Sequence, residues 1–284
     1  MGQSQKTLFI FGLGYVGLHL AQQLSDKGWQ IIATTRAPEK IKNNLGWQII
    51  PFADTAPINK LASHLARATH LISTIGPVAG HDPVIAAHKA QLQTFSGWTG
   101  YLSATSVYPD MPDGWVDEDT PPNPVTARGK ARLYAEQAWQ EACGAEIFRI
   151  AGIYGPGRNV FKSLYDGSAR IIDKPNHLFN RIHQSDISQI IMAAMQTPER
   201  GRILNLADMH PASQADLFHF AASLAGITPP KPIPLEQANL SAMGRSFYTS
   251  QRKVRSKILG KTLRYSFTYP DYKAGLCALF EAGD

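Results

Sequence analysis

The chain has 284 residues, 44% hydrophobic and 18% charged, enough for one large α/β unit with a smaller appended lobe and for a core that needs no staple. No apolar run approaches the roughly 20 residues of a membrane span, and Leu8–Phe11 is too short to act as a targeting segment. The net charge of +6 is spread along the sequence apart from one cluster at Arg252, Lys253, Arg255 and Lys257, and no recognition motif accompanies it, so a nucleic-acid partner is not expected.

In chain order, Leu8–Phe11, Gln30–Thr35, Gln48–Phe52, His70–Thr74, Gly100–Ser106 and Glu146–Ile150 read as strands. Tyr15–Lys27, Ile58–Ala66, Pro83–Phe95 and Lys130–Ala142 read as the helices between them. Strands alternating with helices of this length mean βαβ units and a parallel sheet buried on both faces. Right-handed crossovers then leave a doubly wound sheet. After Ile150 the rhythm breaks at Gly155-Pro156-Gly157, and Pro/Gly punctuation stays dense through Pro229–Pro234. Helix 187–196 and strand Ile203–Leu206 return to the sheet. The expected fold is thus a Rossmann-type α/β sheet over 1–150 with 183–206 returning to it. A smaller C-terminal substrate lobe takes 151–182 and 207–284.

The segment Gly12-Leu13-Gly14-Tyr15-Val16-Gly17 follows the first strand and opens an amphipathic helix, which is the context a dinucleotide fingerprint requires. Gly12 permits the tight turn, Gly14 lets backbone approach a pyrophosphate, and Gly17 lets helix and strand pack closely. The helix-start amides and dipole face the phosphates. Further on, the second strand ends Ala33-Thr34-Thr35-Arg36 with no carboxylate before Glu39. A carboxylate would bond a ribose 2′-hydroxyl; Arg36, with Thr34 or Thr35 beside it, suits a 2′-phosphate instead, so NADP is expected over NAD. Asp54 is placed to meet the adenine amino group, and Thr74 with Gly76 to run beside the cofactor's ribose.

These motifs, followed by Leu102-Ser103-Ala104-Thr105-Ser106-Val107-Tyr108, Pro122–Thr126, Arg149–Arg158, Asn180–Asp186 and Asn205-Leu206-Ala207, resemble the extended short-chain dehydrogenases/reductases. The likeness is specifically to the bacterial NAD-dependent epimerase/dehydratase-like proteins of the atypical subgroup, and it runs the full length. Cysteine usage fits a reducing cytoplasm, and the resemblance implies an oxidoreductase or epimerase acting on a nucleotide sugar or similar polyol and allows a homodimer, which members commonly form. In that family a Tyr is the general acid/base, a Lys four residues on lowers its pKa and binds the cofactor ribose, and a strand Ser or Thr orients the substrate. Matching the segment that ends in Glu136 places Arg128 at the Tyr, Arg132 at the Lys and Ala104 at the Ser. Arginine, with a pKa above about 12, cannot accept a proton near neutrality, and alanine forms no side-chain hydrogen bond.

The groups left to recruit are Ser103 and Thr105, which strand alternation puts on one face, with Tyr108 and His183. Arg132 can still hold a ribose or phosphate. Arg128, Arg158 and Arg181 can clamp a phosphate-bearing substrate, and Asp186 is expected to cap the helix that follows it. A non-catalytic, NADP-sensing regulatory protein is the alternative reading. The two cysteines, Cys143 and Cys277, lie far apart in no metal-ligand spacing, and no metal site is expected.

Overall fold

The computed structural model describes residues 5–41, 46–53 and 56–284. Along the chain run β1 (Thr7–Phe11), α1 (Tyr15–Ser25), β2 (Gln30–Thr35), β3 (Gln48–Pro51), α2 (Leu61–Leu65), β4 (His70–Ser73), α3 (Pro83–Gln93) and β5 (Trp98–Ala104). Then come β6 (Trp115–Val116), α4 (Ala127–Cys143), β7 (Glu146–Ile150), β8 (Gly152–Tyr154), α5 (Phe161–Tyr165), β9 (Ile172–Asp173) and β10 (Arg181–His183). The chain closes with α6 (Gln184–Gln196), β11 (Ile203–Leu206), α7 (Gln214–Ala225), β12 (Ile233–Pro234), α8 (Ala242–Ser246), β13 (Lys253–Val254) and α9 (Tyr272–Glu281).

Seven strands form one sheet in the order β11-β7-β5-β4-β1-β2-β3. The pairs joining β1 to β2 and β4, β2 to β3, and β4 to β5 are all parallel. This is the doubly wound sheet expected from the sequence, and its strand order reverses between β1 and β4. Ligands of such sheets bind at that reversal, beyond the carboxyl ends of the strands. All five residues of β1 are buried, as a strand covered on both faces requires. Among the predicted elements, α2 is shortened at its start and β5 is shifted two residues toward the N-terminus. Lys60 takes a left-handed conformation (φ 56°), so α2 begins only at Leu61. β5 stops at Ala104, and residues 105–107 wind into a 3₁₀ turn that leaves Val107 and Tyr108 fully buried.

The contacts divide the chain into two compact units: Met1–Val107, Ala127–Arg149 and Ser188–Leu204 in the first, Tyr108–Thr126, Ile150–Ile187 and Asn205–Asp284 in the second. In the first, Phe9, Phe11, Leu71, Tyr101 and Trp139 anchor the core. Two ion pairs are buried beside it. Arg149 grips both oxygens of Glu136 (Nη2–Oε2 2.7 Å), and Arg202 grips Glu146 (Nη2–Oε2 2.6 Å), which also accepts from Trp98 Nε1 at 2.7 Å and the Glu199 amide at 3.0 Å. Several donors around each carboxylate offset the cost of burying it. The second unit packs Phe161, Leu164, Phe218, Ala221, Tyr272 and Leu276 around a separate core. Its strands are two- and three-residue pairs: β8 with β10, β9 with β12, β6 with β13. Among the described residues no helix is long and apolar enough to cross a membrane.

Candidate functional site

In the first unit, the turn between β1 and α1 is held from both sides. Gly12 has φ +90°, which glycine tolerates and other residues rarely adopt. Its amide donates to the Thr34 hydroxyl at 2.9 Å, and its carbonyl accepts from the Thr74 hydroxyl at 2.6 Å. A Cβ at Gly17 would stand 2.5 Å from the Gly12 carbonyl oxygen, so helix and turn touch there. Gly14 differs: a Cβ on it would meet nothing within 4 Å, and α1 receives no side-chain cap hydrogen bond. Space is therefore open beside the Gly14 backbone at this helix start, where an anion can approach. Tyr15 is half-buried and Val16 buried in the first turn.

Thr34 is fully buried and holds the turn, while Thr35 is half-buried and accepts the Ala37 amide at 3.3 Å. Arg36 follows β2 with its side chain exposed. Asp54, expected near the adenine, lies outside the described residues.

Arg132 of α4 donates to the Leu102 carbonyl at 2.7 Å and to the Tyr101 hydroxyl at 3.3 Å, and its guanidinium covers Gly76, where any Cβ would strike it. One turn earlier on α4, burial first and the Arg132 charge second lower the pKa of Arg128. Ser103 on β5 is 5% exposed, and its buried hydroxyl has no hydrogen-bond partner among the described residues. The alternation expected through Ser106 ends with the strand, so Thr105 sits in the 3₁₀ turn, half-buried.

The second unit contains a cavity of about 650 Å³, lined by Arg158, Arg170 and Arg181 together with apolar residues that include Ile153, Phe179, Leu217 and Phe247. Arg181 is 9% exposed and donates to the carbonyls of Phe179 (3.1 Å), Ala212 (3.0 Å) and Ser213 (3.4 Å), so it braces the wall. Asp186, expected as a helix cap, instead accepts from the Tyr265 hydroxyl at 2.5 Å and the amides of Thr268 and Tyr269 at 2.8 and 3.1 Å. It fastens the 265–269 loop through these three donors.

The solved structure of a functionally unknown conserved protein from Silicibacter pomeroyi DSS is 38% identical, with TM-score 0.91 over 98% of this chain and 99% of that one. A Methylobacillus flagellatus protein assigned as an NAD-dependent epimerase/dehydratase is 26% identical, with TM-score 0.73 over 99% of both chains. Protein YeeZ of Escherichia coli (strain K12) is 27% identical over 257 residues, 80% of this chain and 86% of YeeZ. The chain is similar to NAD-dependent epimerase/dehydratase proteins. No family model matches it. Two more distant structures share the fold: MoeE5 with UDP-glucose and NAD (18% identical, TM-score 0.76, 97% of both chains), and human SDR39U1 with NADPH (16%, 0.75, 96% of this chain and 99% of that one).

Tyr108 is fully buried and donates to Asn205 Oδ1 at 2.8 Å, and Asn205 Nδ2 in turn donates to the Arg255 carbonyl at 3.0 Å. His183 is 3% exposed, accepts the Ser185 amide on Nδ1 at 3.2 Å, and packs its ring on Tyr269 (centroids 4.0 Å) and Tyr154 (5.2 Å). Both side chains are thus committed to the frame of the second unit. Among the described residues no group of three or more His, Cys, Asp or Glu is arranged to hold a metal.

Sequence reasoning missed Arg170 and the part Thr34 and Thr74 play in fixing Gly12. Arg170 sits in no motif; a spare cation in the appended lobe was the only signal. The threonines were visible but were assigned to the cofactor, because their partner lies 22 and 62 positions away in the chain.

Proposed function

We propose that the first unit binds NADP and that the protein works by holding this dinucleotide and an anionic small molecule, without the family's Tyr–Lys proton relay. The observation that carries the cofactor reading is the glycine start of α1: no side-chain cap at Gly14 among the described residues, with free space where a side chain would stand. The backbone of Gly14, Tyr15 and Val16 would take the pyrophosphate. Arg36, with Thr35, would take the 2′-phosphate, and Thr74 and Gly76 would lie along the ribose. Bound NADP supplies a hydride or accepts one at the nicotinamide.

The chain's own residues offer that chemistry little help in moving protons. The guanidinium groups of Arg128 and Arg132 suit anions rather than proton transfer. Arg132 is already fixed on the Leu102 carbonyl, and Tyr108 and His183 are buried with partners. A regulatory, NADP-sensing role follows from this set. A second reading, an oxidoreductase or epimerase acting on a nucleotide sugar or similar polyol, is favoured by the similarity to epimerase/dehydratase proteins and by the MoeE5 complex with UDP-glucose and NAD. In that reading Ser103, Thr105, Tyr108 and His183 supply the acid/base group.

Calorimetry with NADPH and NADH tests the cofactor assignment. Arg36→Ala is expected to weaken NADPH about 10- to 100-fold, the worth of a charge-assisted bidentate pair, and to leave NADH nearly unchanged. Equal losses for both overturn the NADP preference. Incubation with NADPH or NADP⁺ and a panel of nucleotide sugars, ketones and aldehydes separates the two functional readings. Turnover that His183→Ala or Tyr108→Phe abolishes establishes the enzyme; tight cofactor binding with no turnover establishes the sensor.

A further inference from the structure

The wall of the second unit's cavity has an unusual division of labour. Its neutral polar side chains are engaged by the protein's own groups, backbone for the most part. Asn180 donates to the Arg252 carbonyl and accepts the Val254 amide, both at 2.8 Å. Gln214 Oε1 accepts the Ile172 amide at 2.8 Å and the Tyr248 hydroxyl at 3.0 Å. Asn159 Oδ1 accepts the Phe161 amide at 2.9 Å, and its Nδ2 donates to Asp284 Oδ2 at 3.2 Å. Ser163 donates to the Val160 carbonyl at 2.8 Å, and Tyr154 to the Asp271 carbonyl at 3.2 Å. Arg181 is held by three carbonyls, as described above.

What this wall presents to a ligand is apolar surface from Ile153, Val160, Leu217, Leu240 and Phe247, and positive charge. Arg158 and Arg170 line the cavity and are exposed, and no Asp or Glu lines it. Asp284, whose carboxylate touches the lining at Asn159, is engaged there and at the Gly157 amide (2.7 Å). A sugar or polyol placed here would give up its water hydrogen bonds and find few replacements, since buried polar groups need partners. An aliphatic body suffers no such loss.

We propose that this cavity takes a ligand with an apolar chain and a single anionic head, the chain lying among the aliphatic and aromatic side chains and the head on Arg158 and Arg170. This rests on the reading that the second unit holds the small-molecule ligand, and it replaces the polyol class by an amphiphilic anion. A phosphate or a carboxylate head has the required charge; a guanidinium meets either in bidentate fashion. The cavity volume of about 650 Å³ falls within the range of drug-sized ligand sites.

The test is calorimetric titration of the full chain with hexyl, octyl and decyl phosphate below their micelle concentrations, with decanoate, inorganic phosphate, octyl glucoside and UDP-glucose alongside. Burial of each methylene raises affinity roughly three- to fourfold, so each two-carbon step is expected to tighten binding about tenfold. Decanoate against decyl phosphate identifies the head, while inorganic phosphate and octyl glucoside, each lacking one half, bind at least tenfold more weakly than octyl phosphate. Gly244→Phe fills the cavity from α8, where a Cβ meets nothing nearer than 3.4 Å, and is expected to lower decyl phosphate affinity at least tenfold with the circular dichroism spectrum unchanged. Arg158→Ala with Arg170→Ala weakens every alkyl phosphate but preserves the chain-length steps.

Affinity independent of chain length in the unaltered protein overturns the proposal, as does UDP-glucose binding more tightly than decyl phosphate. So does a folded Gly244→Phe variant with full affinity. NADPH titrated into the same preparation keeps the two readings apart: NADPH uptake without alkyl anion uptake rejects this one alone, and the reverse rejects the cofactor reading alone.

Discussion

Thr34 has two candidate partners, and the geometry sets them against each other. Its hydroxyl accepts the Gly12 amide at 2.9 Å, in a residue with no exposed surface. Were it instead a donor to the 2′-phosphate of NADP, its loss would hurt NADPH alone. Thr34→Val keeps the shape and removes the acceptor, leaving a backbone amide without its partner at a cost of about 1–3 kcal/mol. Because that amide positions the turn rather than the 2′-phosphate, the variant is expected to weaken NADPH and NADH alike, by roughly tenfold. Arg36→Ala, by contrast, is expected to separate them. Calorimetry of both variants with both nucleotides decides the matter: a Thr34→Val loss confined to NADPH moves Thr34 from the turn to the phosphate.

Elements in the first unit are joined by a few polar residues placed at helix ends. Asp82 caps α3 by accepting the amides of Val84 and Ile85, both at 2.9 Å, and its other oxygen accepts Trp139 Nε1 of α4 at 3.1 Å. Asp82→Ala removes a cap and strands a buried indole N–H, a combined loss of about 2–3 kcal/mol. Asp82→Asn retains the cap and is expected to recover at least half of it. Urea unfolding measures both; an alanine variant within about 0.5 kcal/mol of the parent rejects this account. Asp82-Pro83 could be read from sequence as a helix start, but nothing local announces the indole. The same limit separates what was legible from what was not. β1, β2, β4 and β7 read as apolar runs because strands of a parallel sheet are buried on both faces. The glycine turn was legible because its spacing is dictated by one turn of backbone. β6 and β13 were not, since each is two residues long and their partners, Trp115 and Lys253, meet across nearly half of the chain. The cavity wall was illegible for the same reason: whether Asn180 or Gln214 faces a ligand depends on Arg252, Val254 and Tyr248, none of them near in sequence.

The stability of the whole molecule carries the imprint of one carboxyl group. Asp208 is 1% exposed; Oδ1 accepts the His210 amide at 3.1 Å, and Oδ2 is buried with no hydrogen-bond partner among the described residues. Burial pushes its pKa up to about 7, against the smaller opposing pull of the His210 amide and of Arg181, and Asp271 adds to the rise. A folded state that holds a proton the unfolded chain has released above its ordinary value of 3.8 is favoured at low pH. That contribution is complete below about pH 4 and is lost as pH rises through about 7. His210, whose pKa is raised chiefly by its bond to the Asp208 backbone, runs in the same direction, since its extra stabilisation also disappears as it deprotonates. Asp208→Asn keeps an acceptor for the His210 amide and cannot ionise. Its stability relative to the parent is therefore expected to improve between pH 5 and pH 8, by about 2 kcal/mol. Thermal and urea unfolding at the two pH values measure the difference. A variant offset that is the same at both, or that shrinks toward pH 8, means that the carboxyl is ionised in the folded protein throughout this range and that Arg181, not a proton, balances it.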